Sequence, residues 1–480
     1  MATISVAALR RVLTGAGSPA RFAGRHCLAA VIAAALFLGS AAFAQSPSVM
    51  LGARAVGLYT HADPVPGGGS ADEVRVVQPV AMIRAGLGDR RLVFIGTADL
   101  EGLTIPGGEL APGDWGEGFM DRRHPHTYAH ELIVSTDDLL GRLDGNGELS
   151  LSVGKGFAPF GTDDPMVRPV IRYPVNHHLA QILERAVAIV ALRQGPVTIE
   201  AGLFNGDEPE RPGQWPRVAH RFGDSWSARG TIAPLAAVEL EASYAHVHSP
   251  EHRPGAGPDQ AKWSAAARWE APVRGHPVYA LVEWARTSEA GGFFVYHSVL
   301  GEGAWETGSH RLLWRVERTE RPEETRTLDP FRSVRPHLDN SILSRTRWTI
   351  LTAGYSLRLL PARSRYQLEP QVEAAYGTVR SLEGQAFDPA TFYGRTSFWS
   401  VNFGIRVGWG MRMHRMGRYG ALDGESGMQG PDPHMHQEEM TNATQRRHGV
   451  DDGARDGGGG LQQVGSGGSD DSREDGDGGW

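Results

Sequence analysis

From Tyr366 to Gly377 the chain alternates without a break. Tyr366, Leu368, Pro370, Val372, Ala374 and Tyr376 fall on one side, and Gln367, Glu369, Gln371, Glu373, Ala375 and Gly377 on the other. A strand turns successive side chains to opposite faces, so this segment predicts one oily face and one wet, charged face. Trp399, Val401, Phe403, Ile405, Val407 and Trp409 alternate in the same way with Ser400, Asn402, Gly404, Arg406, Gly408 and Gly410. Followed from Met50, the rhythm marks about sixteen candidate strands, from 50–60 through 127–139 and 346–360 to 397–411. Trp263, Trp269, Trp284, Trp314 and Trp348 fall near predicted strand ends, where interfacial aromatic girdles sit.

The connections alternate in length. Short turns such as Gln194-Gly195, Arg274-Gly275 and Thr307-Gly308 alternate with longer links that include 104–126, 157–182 and 321–345. Long and short links on opposite rims predict an all-β fold, a transmembrane antiparallel β-barrel with both strand termini on the short-turn rim. A soluble sandwich would bury the apolar face under a second sheet, and a propeller would show internal repeats, which the sequence lacks. Pro370 is the awkward residue, because it removes one ladder donor from a strand with no free edge.

Hydropathy alone does not separate these folds. The mean hydropathy of −0.31 suits a soluble protein and equally a barrel whose lumen residues dilute its lipid-facing ones. Beyond Gln45 no run reaches the roughly 18 apolar residues a spanning helix needs. Before it, Arg10, Arg11, Arg21 and Arg25 precede the apolar run Leu28 to Leu38, and Ala42-Phe43-Ala44 offers small residues for cleavage. Residues 1–44 therefore read as a secretory signal peptide, 45–411 as the barrel and 412–480 as a disordered tail of Gly, Asp, His and Met. Cys27 is the only cysteine and falls in the signal, so the mature chain has neither a disulfide nor a thiolate metal site.

Charge follows the same division. Residues 421–480 hold 13 acidic and 4 basic residues, whereas 45–420 hold 42 and 40. The barrel is nearly neutral, which argues against a nucleic-acid partner, and the acidity belongs to the tail. Lys155 and Lys262 are the only lysines, so nearly every cation is a guanidinium that stays protonated at any working pH.

Three constellations carry candidate chemistry. Alternation points Glu200, Glu239, Glu241, Glu283, Glu317, Glu369, Glu373, Arg315, Arg358 and Arg406 into the lumen, where charged rings set which ions pass; paired charges that keep the lumen wet are the plainer reading. His124, His126 and His130, with Asp163, Asp164, His177 and His178 in a later link, offer imidazole and carboxylate donors suited to Zn²⁺ or Cu²⁺. On a strand His126 and His130 share a face, but four residues span roughly 13 Å, too far to grip one ion without folding. Met411, Met413, His414 and Met416, followed by His434, Met435, His436 and Met440, combine thioether and imidazole, a set that favours copper. No Ser/His/Asp arrangement, phosphate-cradling glycine loop or nucleotide fingerprint points to an enzyme.

The run Gly154-Lys155-Gly156-Phe157-Ala158-Pro159-Phe160-Gly161, then Leu183-Glu184-Arg185 and Gly202-Leu203-Phe204-Asn205-Gly206, resembles the phosphate-selective porin O/P family of outer-membrane barrels. The likeness covers residues 146–206. It implies a strand, a Pro-Phe-Gly loop and a strand within a sixteen-strand trimeric channel, in which pore arginines and lysines draw anions. Lys155 and Lys262 cannot form a lysine cluster, a departure from the family pattern, so no binding residue carries over. The expected function is a passive channel in the bacterial outer membrane for small hydrophilic solutes, with metal handling by the histidines as the alternative.

Overall fold

The computed structural model describes residues 48–422 apart from 66–67, 88–91, 111–125, 137–138, 140–146, 210, 249–257, 325–341 and 383–387. The expected signal segment, His124, His434 and His436 lie outside the described residues. The first eight strands are β1 (Ser48–Asp63), β2 (Ala71–Leu87), β3 (Leu92–Asp99), β4 (Ala129–Thr136), β5 (Gly147–Gly156), β6 (Arg185–Gln194), β7 (Val197–Phe204) and β8 (Ser225–Leu235). The second eight are β9 (Val238–Val247), β10 (Gln260–Val273), β11 (His276–Glu289), β12 (Phe294–Thr307), β13 (His310–Glu324), β14 (Ile342–Leu357), β15 (Tyr366–Ser381) and β16 (Ser397–Gly410).

Each strand pairs with its chain neighbours, and β1 closes on β16 from Gly52↔Gly410 to Asp63↔Trp399. The expected sixteen-strand antiparallel barrel is present, and closure leaves no edge unpaired. Boundaries move where the alternation overran: the strand expected over 127–139 is Ala129–Thr136, and that expected over 346–360 is Ile342–Leu357.

The outer face is apolar. Phe403, Ile405 and Val407 on β16 are 56%, 51% and 43% exposed, while Ser400, Asn402 and Arg406, on the alternate positions, are buried. A closed ring of such faces is stable only in a non-aqueous surround, because exposed apolar patches this broad do not persist in water. Trp399 and Trp409 bracket β16 on that face. Ten residues of strand span about 33 Å, which a tilt of roughly 40° projects to about 25 Å, the height of a lipid-facing band.

Pro370 is accommodated by a gap in one ladder. The β14–β15 pairing stops at Ser356↔Gln371 and resumes as Leu359 N–H to Leu368 O, whereas Pro370 stays paired with Ile405 of β16. The missing donor thus falls where the β14 side is already irregular.

Two long segments lie within the lumen. Residues 157–184, between β5 and β6, lie almost entirely buried within the barrel. Residues 411–422, all but Met411 grouped with the tail on composition, follow β16 back inside rather than leaving it. Phe157, Phe160, Met166, Tyr173, Ile182 and Leu183 from the first, with Met416 and Tyr419 from the second, pack on Met82, Val93, Ile95, Ile133, Val187 and Ile189 of the wall. On this side, then, the inner face is oily rather than wet, which is why two chain segments can seat there.

Candidate functional site

The first lumen segment turns at Gly161, whose φ is +70°. A Cβ there would lie 1.8 Å from Ala180 O, so the Pro159-Phe160-Gly161 corner requires glycine for both its backbone angle and its close approach. Beyond the corner, wall carboxylates of β11 to β15 hold the segment. Glu283 pairs with Arg168 at 3.1 Å and accepts from Asn176 Nδ2 at 2.7 Å. Glu317 pairs with Arg172 at 2.5 Å and accepts from Val175 N–H at 2.9 Å. Glu373 accepts from the N–H groups of Ile171, at 2.6 Å, and Arg172, at 3.2 Å. Arg315, fully buried, pairs with Glu302 at 2.8 Å and donates to Arg172 O at 2.5 Å. Carboxylates that satisfy otherwise orphaned backbone donors fix the path of the segment as well as its position.

The second segment leans on β4, β5 and β9. Arg415 Nη2 lies 2.7 Å from Glu239 Oε1, and Arg418 pairs with Glu241. Tyr419 donates to Glu131 at 2.7 Å, and Ala421 N–H to Ser150 Oγ at 2.8 Å. Several contacts tie the segments together, among them Phe157 N–H donating to Tyr419 Oη at 3.1 Å. Asp163 of the first lies 2.8 Å from Arg415 and 3.4 Å from Arg418, and 2.5 Å from Arg268 of β10. Burial pushes the Asp163 carboxyl up, but the charges of Arg415, Arg268 and Arg418 outweigh it and hold the group well below the usual carboxylate range. Arg229, clamped by Glu200 at 2.5 and 2.8 Å, donates to Gly161 O and to Gly417 O.

Two cavities lie beside these segments. One, of about 140 Å³, opens between the two segments and the lower parts of β10 to β16 and β1. Arg54, Arg168, Arg268, Arg311, Arg358, Arg406, Arg412 and Arg415 line it, against Asp163, Glu270 and Glu369. The other, of about 80 Å³, touches the upper ends of β9 to β13 and is lined by Lys262, Arg185, Arg321, His178, Glu208, Glu289 and Glu320. Residues 165–183 run between them, touching the first cavity at Val167 to Pro169 and the second at Val175 to Leu183.

Of the ten charged residues expected inside, Arg358, Arg406 and Glu369 border the first cavity. Arg358 lies just beyond the end of β14 and pairs with Glu306 at 2.9 Å. Glu369 accepts from Ser356 at 2.6 Å and pairs with Arg311 at 3.1 Å, and Arg406 is 3.9 Å away. The other seven, Glu200, Glu239, Glu241, Glu283, Glu317, Glu373 and Arg315, anchor the two segments. Their partners Arg168, Arg172, Arg415 and Arg418 were missed, because no periodicity marks a residue on an irregular segment. Arg229 and Glu302 carry the inward parity of their strands and were legible.

His126 and His130 meet, the first of them off the strand. His126 precedes β4, which begins at Ala129, so the chain bends between His126 and His130 instead of extending. Their ring centres stand 4.7 Å apart, well inside the span expected of an extended strand. His177 joins them at 5.9 Å from His126, and His178 faces Glu208 at 3.6 Å in the second cavity. Met413, His414 and Met416 do not converge as a thioether set: Met413 Sδ meets Arg54, His414 meets Glu131 at 2.9 Å, and Met416 is in the apolar cluster.

The geometry defines a transmembrane β-barrel whose lumen is narrowed by its own chain. No family model matches the sequence, and no curated protein matches it either. Among solved structures, the chain is similar to an anion-selective porin from Comamonas acidovorans at 11% identity and a TM-score of 0.48, over 76% of this chain and 100% of that one. It is also similar to OmpT, an outer membrane protein of Vibrio cholerae in trimer form, at 10% identity and a TM-score of 0.44, over 76% and 100%. OpdO of Pseudomonas aeruginosa is similar at 12% identity and a TM-score of 0.36, over 76% and 98%.

Proposed function

We propose that this chain is an outer-membrane channel for the passive diffusion of small hydrophilic solutes, with anions favoured. The observation that carries the reading is the excess of guanidinium over carboxylate around the cavity between the two lumen segments. Charges in a narrow water-filled space with low-dielectric walls focus their field and raise the local concentration of counter-ions. Guanidinium does not lose its proton at working pH, and its fork matches phosphate and carboxylate oxygens. Arginine thereby replaces the lysines that the local likeness to phosphate-selective porins would lead one to expect. Passive flow is consistent with a solute path bordered by paired charges that need no chemical step to turn over.

The signal segment 1–44 would deliver the barrel to the outer membrane, and the same local likeness extends the reading to a homotrimer. The mass of the detergent-solubilised complex tests the latter. Planar-bilayer recording tests the channel itself: purified protein should give discrete conductance steps, with a reversal potential in a KCl gradient displaced towards chloride. Arg311→Gln with Arg358→Gln should move that potential towards the cation side. Absence of conductance, or a potential indifferent to both substitutions, would remove the reading.

A further inference from the structure

We propose that Asp99, His126 and His130 form a buried site for a divalent transition ion of the zinc type. Each residue offers a ligand atom, and these atoms lie within 4.8 Å of one another with all three residues buried. Two imidazoles and one carboxylate are a donor set that zinc accepts, with a fourth position left for water. A tetrahedral ion with bonds of about 2.1 Å draws its ligand atoms to roughly 3.4 Å apart, so side-chain adjustments of about 1 Å close the site.

The second observation lies on His130. The residue is 0% exposed; Nδ1 is 3.1 Å from Glu184 Oε1, while Nε2 has no hydrogen-bond partner among the described residues. Burying an imidazole nitrogen without a partner is costly, and a metal bond relieves that cost. The Glu184 carboxylate behind the ring places the proton on Nδ1 and turns Nε2 into the electron-pair donor, an arrangement recurrent behind metal-bound histidine. Glu101 lies 2.9 Å from His126 Nδ1, and Asp99 Oδ2 lies 3.6 Å from the same nitrogen.

The surroundings suit a cation. Asp99, Glu101, Asp164 and Glu184 converge on the cluster, and Lys155 is the one lysine near it, 3.9 Å from Glu184. Lys155 also donates to Thr127 Oγ1 and Ala129 O, which holds its charge beside Glu184. His177 of the first lumen segment stands next to His126, so an ion held here would stiffen the wall against which that segment rests.

Zinc chloride titrated calorimetrically into the full chain in detergent, carrying His434→Ala and His436→Ala to silence the tail, tests the site. One saturable ion per chain is expected. Asp99→Asn, His126→Ala and His130→Ala should each weaken it at least tenfold, and Glu184→Gln by about 10- to 100-fold. Co²⁺ in place of zinc should give the visible bands of a low-symmetry nitrogen and oxygen site, a readout that survives if His130→Ala does not fold. Lack of a saturable ion, binding indifferent to Glu184→Gln, or a Co²⁺ spectrum of the hexa-aqua ion overturns the site. Equilibrium binding is measured whether or not the barrel conducts, so failure here is separable from failure of the channel reading.

Discussion

The two segments inside the barrel reach it from opposite rims and are held by opposite principles. Residues 157–184 are strung between β5 and β6, and wall carboxylates accept from their backbone N–H groups as well as from Arg168 and Arg172. Residues 411–422 join a strand only at β16; Arg415 and Arg418 pair with wall carboxylates, Gly417 O accepts from Arg229, and Met416 and Tyr419 pack in the apolar cluster. The contrast teaches that the first is part of the wall's architecture, whereas the second is a docked strap. A backbone that satisfies its donors on fixed carboxylates has no alternative path without orphaning them. Guanidinium side chains can keep a carboxylate partner while the backbone behind them shifts.

Breaking the first segment should therefore cost most. Arg172→Ala leaves Glu317 buried beside β13, and loss of one partner of a buried pair costs about 3–5 kcal/mol. The unfolding midpoint of the folded barrel in detergent should fall accordingly; an unchanged midpoint would mean that the segment is not integral to the wall. Phe403→Arg acts on neither segment and calibrates the wall itself, with an expected loss of about 2–4 kcal/mol for a cation on the lipid face near mid-height. Equal stability in that variant would deny that this face meets hydrocarbon.

Asp163 sharpens the comparison, since it joins the strap to the fixed segment. Its carboxyl is held below the ordinary value of about 3.9, so its contribution is full above that pH and fades only as pH falls through the lowered native value. Asp163 should thus stay ionised and keep its hold on Arg415 from pH 7 to pH 4, and Asp163→Asn should raise conductance at pH 7 by loosening residues 411–422. Equal conductance of Asp163→Asn and the native chain at pH 7 would deny that link. The mildest change is Ser150→Ala, which leaves Ala421 N–H without its acceptor and should cost about 1 kcal/mol, read as faster amide exchange at Ala421.

Much of the wall was legible because each strand residue has a fixed parity. Trp399 to Trp409 on β16 and Tyr366 to Tyr376 on β15 point where alternation puts them, and so do Glu283, Glu317 and Glu373. One signal was present and unused. Val93 and Ile95 on β3 and Val187 and Ile189 on β6 are apolar on the inward parity as well, which marks an inner wall covered by something other than water. The partners of the inward charges were not legible, because Arg172 and Glu317 are 145 residues apart and no local rule joins them. Nor was the meeting of His126 and His130, which depends on β4 starting three residues after the first histidine.

The sequence by itself determined the closed sheet, its strand number and the face each strand residue takes, since a period of two is a property of the extended backbone alone. Only the tertiary structure decided what fills the cylinder. Which arginine meets which glutamate, and which donor atoms gather around His130, depend on two irregular segments whose course is set by long-range satisfaction of buried polar groups rather than by neighbours in the chain.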